Sequence, residues 1–279
     1  MDGRRLSASQ IGTYLGCARK YAFRYVEGAE PEFRSPALSF GSAMHSALDW
    51  FHIERREGRT PDVAKAVQIF RADWTAELER PIAWDEDETP ELYLKMGETL
   101  IRLYAGEFGG VTVCGSEIAF EVPLVDPTSG EVLSGTLSGY FDLLLPDDQL
   151  CEVKTAKRKF DAETLRRHIQ LSAYHYAYRA MYDREPTLTV ITLLKYKRPA
   201  IELVSAHRTE GDDAFFVHLA SEVSRGIDAG IFPPNPGRLC GSCEYGRRCA
   251  SWQGTPRPEA IADDEPPAVP TYGELQLTL

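Results

Sequence analysis

Gly139-Tyr140-Phe141-Asp142-Leu143-Leu144-Leu145 runs into the polar segment Pro146-Asp147-Asp148-Gln149 and then into Leu150-Cys151-Glu152-Val153-Lys154-Thr155. Apolar and β-branched residues flank a turn rich in Pro and Asp, which predicts two short strands joined tightly. Side chains two apart on a strand share a face, so Glu152 and Lys154 point one way while Cys151 and Val153 point into the core. A hairpin closing through five residues or a bulge sets Asp142 opposite Glu152 and adds it to that face. Two carboxylates and a lysine then stand together on a rigid apolar hairpin.

Two carboxylates can hold one or two hard divalent cations, usually Mg²⁺, which polarise a phosphate. A lysine beside them positions water or stabilises charge developing on phosphoryl oxygens. The pattern D-x₉-E-x-K is short, and an ordinary surface hairpin with a Glu/Lys pair also carries it. The same residues resemble the signature of the PD-(D/E)XK nuclease superfamily in its RecB-type branch, a G-x-x-D strand followed by an E-x-K strand. The proline of the name is absent before Asp142. The resemblance implies that Asp142, Glu152 and Lys154 are catalytic, with Asp142, Glu152 and the Val153 carbonyl holding Mg²⁺ or Mn²⁺.

Toward the N-terminus, residues 6–26 carry Ile11, Tyr14, Leu15, Ala18, Tyr21, Ala22 and Tyr25 at helical spacing, with Ser7 and Ser9 as candidate caps. This predicts one amphipathic helix with a core-facing aromatic stripe and Cys17 inside it. A second helix begins at Phe40-Gly41-Ser42-Ala43-Met44-His45, with His45 one turn beyond the glycine. It is similar to the G-x-x-x-H helix that supplies a histidine metal ligand in RecB-type domains, which implies that role for His45 and leaves His52 as surface. Apolar stripes over 61–80 and 90–108 predict two more helices, separated by the acidic segment 81–90, whose charges read as solvated. Residues from about 45 to 110 then form a helical subdomain over one side of a sheet.

From residue 111 the period becomes that of strands, at 111–113, 117–122 and 133–145, and later at 188–196 and 201–206. Helices are predicted over 165–182 and 214–227. The order gives a mixed α+β fold, a restriction-endonuclease-like central mixed sheet flanked by helices, with its core at about 111–206. No glycine-rich phosphate loop is present. Gln170 and Tyr174 lie one turn apart and can reach the same neighbour; they are similar to the Q-x-x-x-Y helix that follows the E-x-K strand in RecB-type nucleases, which implies that both support the site. The resemblance makes Glu117 a secondary candidate. Lys157-Arg158-Lys159, the densest basic run, is placed to neutralise phosphates.

Six cysteines in a chain with no signal-peptide core point to a metal before a disulfide framework. Cys240-x₂-Cys243-x₅-Cys249 can converge on one centre, with Cys17 the best fourth ligand, and four thiolates suit structural zinc or an iron–sulfur cluster. The arrangement resembles that of AddB-type and CRISPR-associated RecB-like nucleases, which implies a structural 4Fe–4S cluster within a cysteine-rich segment at 232–252. Cys114 and Cys151 are left as core thiols. Residues 1–252 read as one domain and 253–279, rich in Pro, Asp and Glu, as a flexible acidic tail.

The net charge of −11 argues against a protein that coats nucleic acid with overall positive charge, and leaves room for one basic groove. No apolar run reaches membrane-spanning length, and a cytoplasmic location is expected. The resemblance implies a metal-dependent exonuclease on single-stranded DNA, acting in repair or processing. The sequence carries no helicase motif, so unwinding would fall to a helicase or repair-complex partner. The alternatives are an endonuclease or end-trimming factor in a repair or CRISPR-adaptation complex, or a DNA-binding scaffold whose nuclease fold is idle.

Overall fold

The structure, a computed structural model, describes residues 4–126 and 129–252. In chain order the elements are β1 (Arg5–Leu6), α1 (Ala8–Gly16), α2 (Ala18–Tyr21), a π-helical turn (Ala22–Val26), α3 (Pro36–Arg56), α4 (Val63–Glu77), α5 (Pro90–Phe108), β2 (Gly115–Val125), β3 (Val132–Leu145), β4 (Gln149–Ala156), α6 (Ala162–Arg166), α7 (Ile169–Tyr182), β5 (Thr187–Leu194), β6 (Ala200–Ala206), α8 (Glu210–Asp228) and α9 (Gly246–Trp252). The strands form one six-stranded mixed sheet in the order β1-β3-β4-β5-β6, with β2 paired to β3 beside that path. β3 is long enough to serve three neighbours: β2 antiparallel along its length, β1 parallel at Thr136 and Leu137, and β4 antiparallel from Leu143 to Leu145. The β4–β5 pair is parallel, from Gln149↔Thr187 to Ala156↔Leu194. The mixed sheet flanked by helices is the architecture expected from the order of periodicities.

Both faces of the sheet are covered. On one side Ile11, Tyr174, Tyr178, Phe216 and Val217, from α1, α7 and α8, pack on Phe120, Phe141, Leu150 and Leu188. On the other, Phe40, Met44, Phe70, Trp74 and Tyr104, from α3, α4 and α5, pack on Leu143, Cys151, Val153, Ile191 and Leu193. Helix starts follow local chemistry. Ser7 caps α1 in a capping box with Gln10, Ser35 caps α3 ahead of Pro36, and Thr89 caps α5 ahead of Pro90. Among the described residues no helix is long and apolar enough to cross a membrane.

Several boundaries differ from expectation. The single helix over 6–26 is broken: Leu6 belongs to a strand, and Cys17 is extended (φ −163°) between α1 and α2, so it sits at a helix break and is only half-buried. Residues 111–113 form no strand, and the helix over 165–182 is interrupted at Arg167-His168. The β3–β4 loop has three residues, not five, because Leu145 pairs with Gln149, and Asp147 and Asp148 both adopt left-handed backbone (φ 58° and 55°) that short acids tolerate. Cys114 is exposed whereas Cys151 is in the core. His52 is buried, not at the surface, because Tyr104 gives it a hydrogen-bonding partner inside the α3–α5 core (2.8 Å). The chain divides into two compact units, one ending at Asn235 and one beginning at Pro236. The smaller contains a 3₁₀ turn (Arg238–Ser242) and α9, and the predicted tail at 253–279 lies outside the described residues.

Candidate active site

The site begins where β3 and β4 part. Their pairing stops at Leu143↔Cys151, so Asp142 and Glu152 are the next positions in register. In place of a ladder bond, the Val153 amide donates to the Asp142 Oδ2 (2.8 Å), and beyond that point β4 continues with β5 alone. Phe141 lies in one core and Leu143 in the other, although residues two apart on a regular strand share a face. β3 therefore turns over at Asp142.

β2 turns over beside it. Glu117 lies between the pairs Ser116↔Leu143 and Ile118↔Phe141 and has left-handed backbone (φ 47°). For a residue with a Cβ such backbone costs about 1–3 kcal/mol and persists where surroundings over-determine it, often at functional sites. Here the surroundings are on α3: the Ser116 hydroxyl donates to Asp49 Oδ1 (2.6 Å) and lies 3.4 Å from His52 Nδ1. The twist brings Glu117 Oε1 to 3.5 Å from His45 Nδ1. His45 also donates through Nε2 to the Val153 carbonyl (3.1 Å).

His45, Glu117 and Asp142 each offer a ligand atom, and these atoms lie within 4.8 Å of one another. One imidazole and two carboxylates are a donor set that fits Mg²⁺ or Mn²⁺. Burial acts against charge on His45, but Glu117, Asp142 and Glu152 together outweigh it and hold its pKa above the ordinary value. Glu117 thus moves from a secondary candidate to the centre of the group. The predicted ligand Glu152 lies outside this group, with its carboxylate turned toward α7.

Glu152 is 1% exposed. Burial, then the adjacent Asp142 carboxylate, push its pKa up, against the pull of Lys154. Burial lowers the Lys154 pKa while Glu152 raises it, with a net increase that keeps the ammonium charged. The two form an ion pair. Gln170 bridges them: its Nε2 donates to Glu152 Oε2 and its Oε1 accepts from Lys154 Nζ, both at 2.9 Å. The Tyr174 hydroxyl donates to Asp142 Oδ1 (2.8 Å) and accepts from Gln170 Nε2 (3.3 Å). The break before Ile169 lets α7 start beneath β4, so residues one turn apart reach both carboxylates.

The basic run is less open to phosphate than its sequence implies. Lys157 pairs with Glu88 (2.6 Å) and Asp85, and Lys159 pairs with Glu202 (2.5 Å). In the acidic segment Asp85, Glu86 and Asp87 are exposed as expected, while Glu88 is half-buried and also accepts from Tyr93 (2.6 Å). Cys17 lies in the larger unit and Cys240, Cys243 and Cys249 in the smaller, and among the described residues no cysteine joins a ligand group of the kind His45 forms. Sequence reasoning missed Asp49 and Ser116. Asp49 carried a signal, one turn after His45 on the same helix face, whereas Ser116 carried none.

A family model, that of the PD-(D/E)XK nuclease superfamily, matches residues 5–250. No curated protein matches the sequence. Among solved structures, a proposed exonuclease from Eubacterium rectale aligns with TM-score 0.58 at 15% identity, covering 88% of each chain. The structure of SSO0001 aligns with TM-score 0.40 at 14% identity, over 89% of this chain and 87% of the other. The first likeness supports the fold; the second carries no argument.

Proposed function

The chain belongs to the PD-(D/E)XK nuclease superfamily, and on that basis we propose that it is a metal-dependent deoxyribonuclease, an exonuclease that hydrolyses phosphodiester bonds of single-stranded DNA. The observation that carries this reading is the gathering of Asp142, Glu152, Lys154, Gln170 and Tyr174 with His45 and Glu117 where β3 and β4 separate. His45, Glu117 and Asp142 would hold Mg²⁺ or Mn²⁺, with Glu152 and the Val153 carbonyl next to them. Such a cation supplies Lewis-acid polarisation of the scissile phosphate and neutralises its charge. Lys154, held charged by Glu152 and aimed by Gln170, orients the attacking water or donates to a phosphoryl oxygen. Tyr174 fixes one oxygen of the Asp142 carboxylate, and the Val153 amide fixes the other. A helicase or repair-complex partner would deliver the single strand.

The same reading assigns Cys17, Cys240, Cys243 and Cys249 to a structural 4Fe–4S cluster. It rests on the spacing of the four cysteines and on the resemblance that this spacing carries. Anaerobically purified protein should be brown and contain iron and sulfide, and Cys17→Ala should lose both; colourless protein with zinc and no iron overturns the assignment.

The nuclease is tested with 5′- and 3′-labelled single- and double-stranded DNA in Mg²⁺ or Mn²⁺. Lys154→Ala should lower the cleavage rate by about 10²–10³, the scale of removing one donor from developing charge. The label released gives the direction of attack. Wild-type protein inert on every substrate, with iron bound, rejects the nuclease reading.

A further inference from the structure

The parallel β4 and β5 strands end together, just beyond Lys154. Ala156↔Leu194 is the last paired position, and the Lys195 amide donates to the Ala156 carbonyl (2.8 Å), so the pairing extends one step into the following segments. The two strands therefore release Lys157-Arg158-Lys159 and Lys195-Tyr196-Lys197-Arg198 side by side at one end of the sheet. Lys157 and Lys159 are neutralised there by Glu88, Asp85 and Glu202. Arg158, Lys197 and Arg198 are exposed, and among the described residues none of them has an ion-pair partner. Tyr196 stands among them, 37% exposed.

Lys195 lies beneath this rim and is buried, its ammonium over the rings of Phe40 (5.1 Å) and Tyr93 (5.2 Å). Burial, and then the positive charge of Lys157, push its pKa down to about 8, against the pull of Glu88. The rim also lies close to the catalytic group. Phe40 and His45 are five residues apart on α3, roughly 8 Å along its axis. Arg158 follows Lys154 by four residues, at most about 14 Å of chain.

We propose that Arg158, Lys197 and Arg198, with Tyr196 as a stacking ring, form the track that holds the phosphate backbone of single-stranded DNA leading to the catalytic group. The inference rests on the nuclease reading and names where its substrate lies. Cations without acidic partners contact phosphates, and an exposed aromatic ring stacks on any base, which is the usual construction of a sequence-tolerant single-strand site.

The test measures binding of a fluorescent oligothymidylate of about 16 nucleotides, the upper end of common site sizes, to Lys154→Ala protein with Mg²⁺. Into that background go Lys197→Glu/Arg198→Glu, Tyr196→Ala, and the matched surface control Lys65→Glu/Lys95→Glu. The rim reversal should weaken binding by about tenfold or more. It should also flatten the dependence of log K on log salt by about 1.4, roughly 0.7 for each of the two phosphates that the reversed side chains no longer neutralise. Tyr196→Ala should weaken binding with the salt slope kept, and the control should bind as the parent does. A rim reversal that binds like the parent, or a control that weakens equally, overturns the track. If protein with Lys154 intact cleaves DNA while the rim reversal binds normally, the track fails and the nuclease reading stands. If binding depends on the rim but intact protein never cleaves, the nuclease reading fails and the track stands.

Discussion

Glu117 is the residue whose conformation the site depends on most. A glutamate in left-handed backbone stays there because Ser116, its neighbour, is bonded to Asp49 (2.6 Å) on the helix that also carries His45. Asp49 and Ser116 are positioning residues: neither joins the ligand group, but together they set where the Glu117 carboxylate faces. Removing the Ser116 hydroxyl should therefore weaken cation binding. Outer hydrogen-bond partners of metal ligands typically contribute about 10–100-fold in affinity, so Ser116→Ala should reduce Mn²⁺ affinity on that scale by isothermal titration. Ser116→Thr keeps the hydroxyl and should recover most of it. Equal affinities for wild type and Ser116→Ala would show that β2 holds its twist without α3. Periodicity put Glu152 with Lys154 on one strand face and Gln170 with Tyr174 one helical turn apart, whereas their joint placement at one site with Asp142 was what the resemblance implied. Glu117 stood only as a secondary candidate that the resemblance implied and Asp49 was missed, since their placement follows from a change of strand face that no local pattern announces.

At the scale of elements, α3 is both core and site. One side of it carries Phe40, Met44, Ala47 and Phe51 into the core with α4 and α5, while His45 and Asp49 look toward the middle of β4 and the start of β2. The α4–α5 contact is set by Gly97, where an added Cβ would meet the ring of Phe70. Ala exceeds Gly in helix propensity by about 1 kcal/mol, so propensity alone makes Gly97→Ala stabilising. Phe70 is fully buried between Phe40 and Trp74 and cannot move aside. Overpacking of about 1–3 kcal/mol then wins, and the variant should unfold at lower denaturant concentration than wild type. An increase in the midpoint would show that the helix pair can separate without loss. The helices expected over 61–80 and 90–108 were readable from their apolar stripes, whereas the breaks at Cys17 and at Arg167-His168 were not, because apolar residues on both sides of each break still fall at helical spacing.

For the molecule as a whole, two buried histidines shape stability against pH in opposite directions. His52 is buried with its pKa lowered to about 3, chiefly by desolvation and then by the charge of His45. It stays neutral in the fold, so protons bind preferentially to the unfolded chain below its ordinary pKa, and stability falls as pH drops from about 6.5 toward 3. His175 is held between Asp213 and Glu185, both at 2.7 Å, and these carboxylates overcome burial to raise its pKa. Its contribution is fully present below about 6.5 and is lost as pH rises through the folded value. His52→Gln should flatten the acid side of a urea-midpoint profile, and His175→Gln the alkaline side. Unchanged profiles would show that other groups dominate the titration. The chain by itself determined the mixed sheet and its flanking helices, because these depend on periods of two and 3.6 residues, and its short motifs carried the resemblance that implied the carboxylates, lysine and α7 pair of the site. Only the tertiary structure decided where β2 and β3 turn over, that Glu117 joins His45 and Asp142, and which cations of the basic run remain unpaired. Those outcomes depend on partners more than 60 residues apart on other elements, such as Asp49 with Ser116, and on register, which a local pattern leaves open.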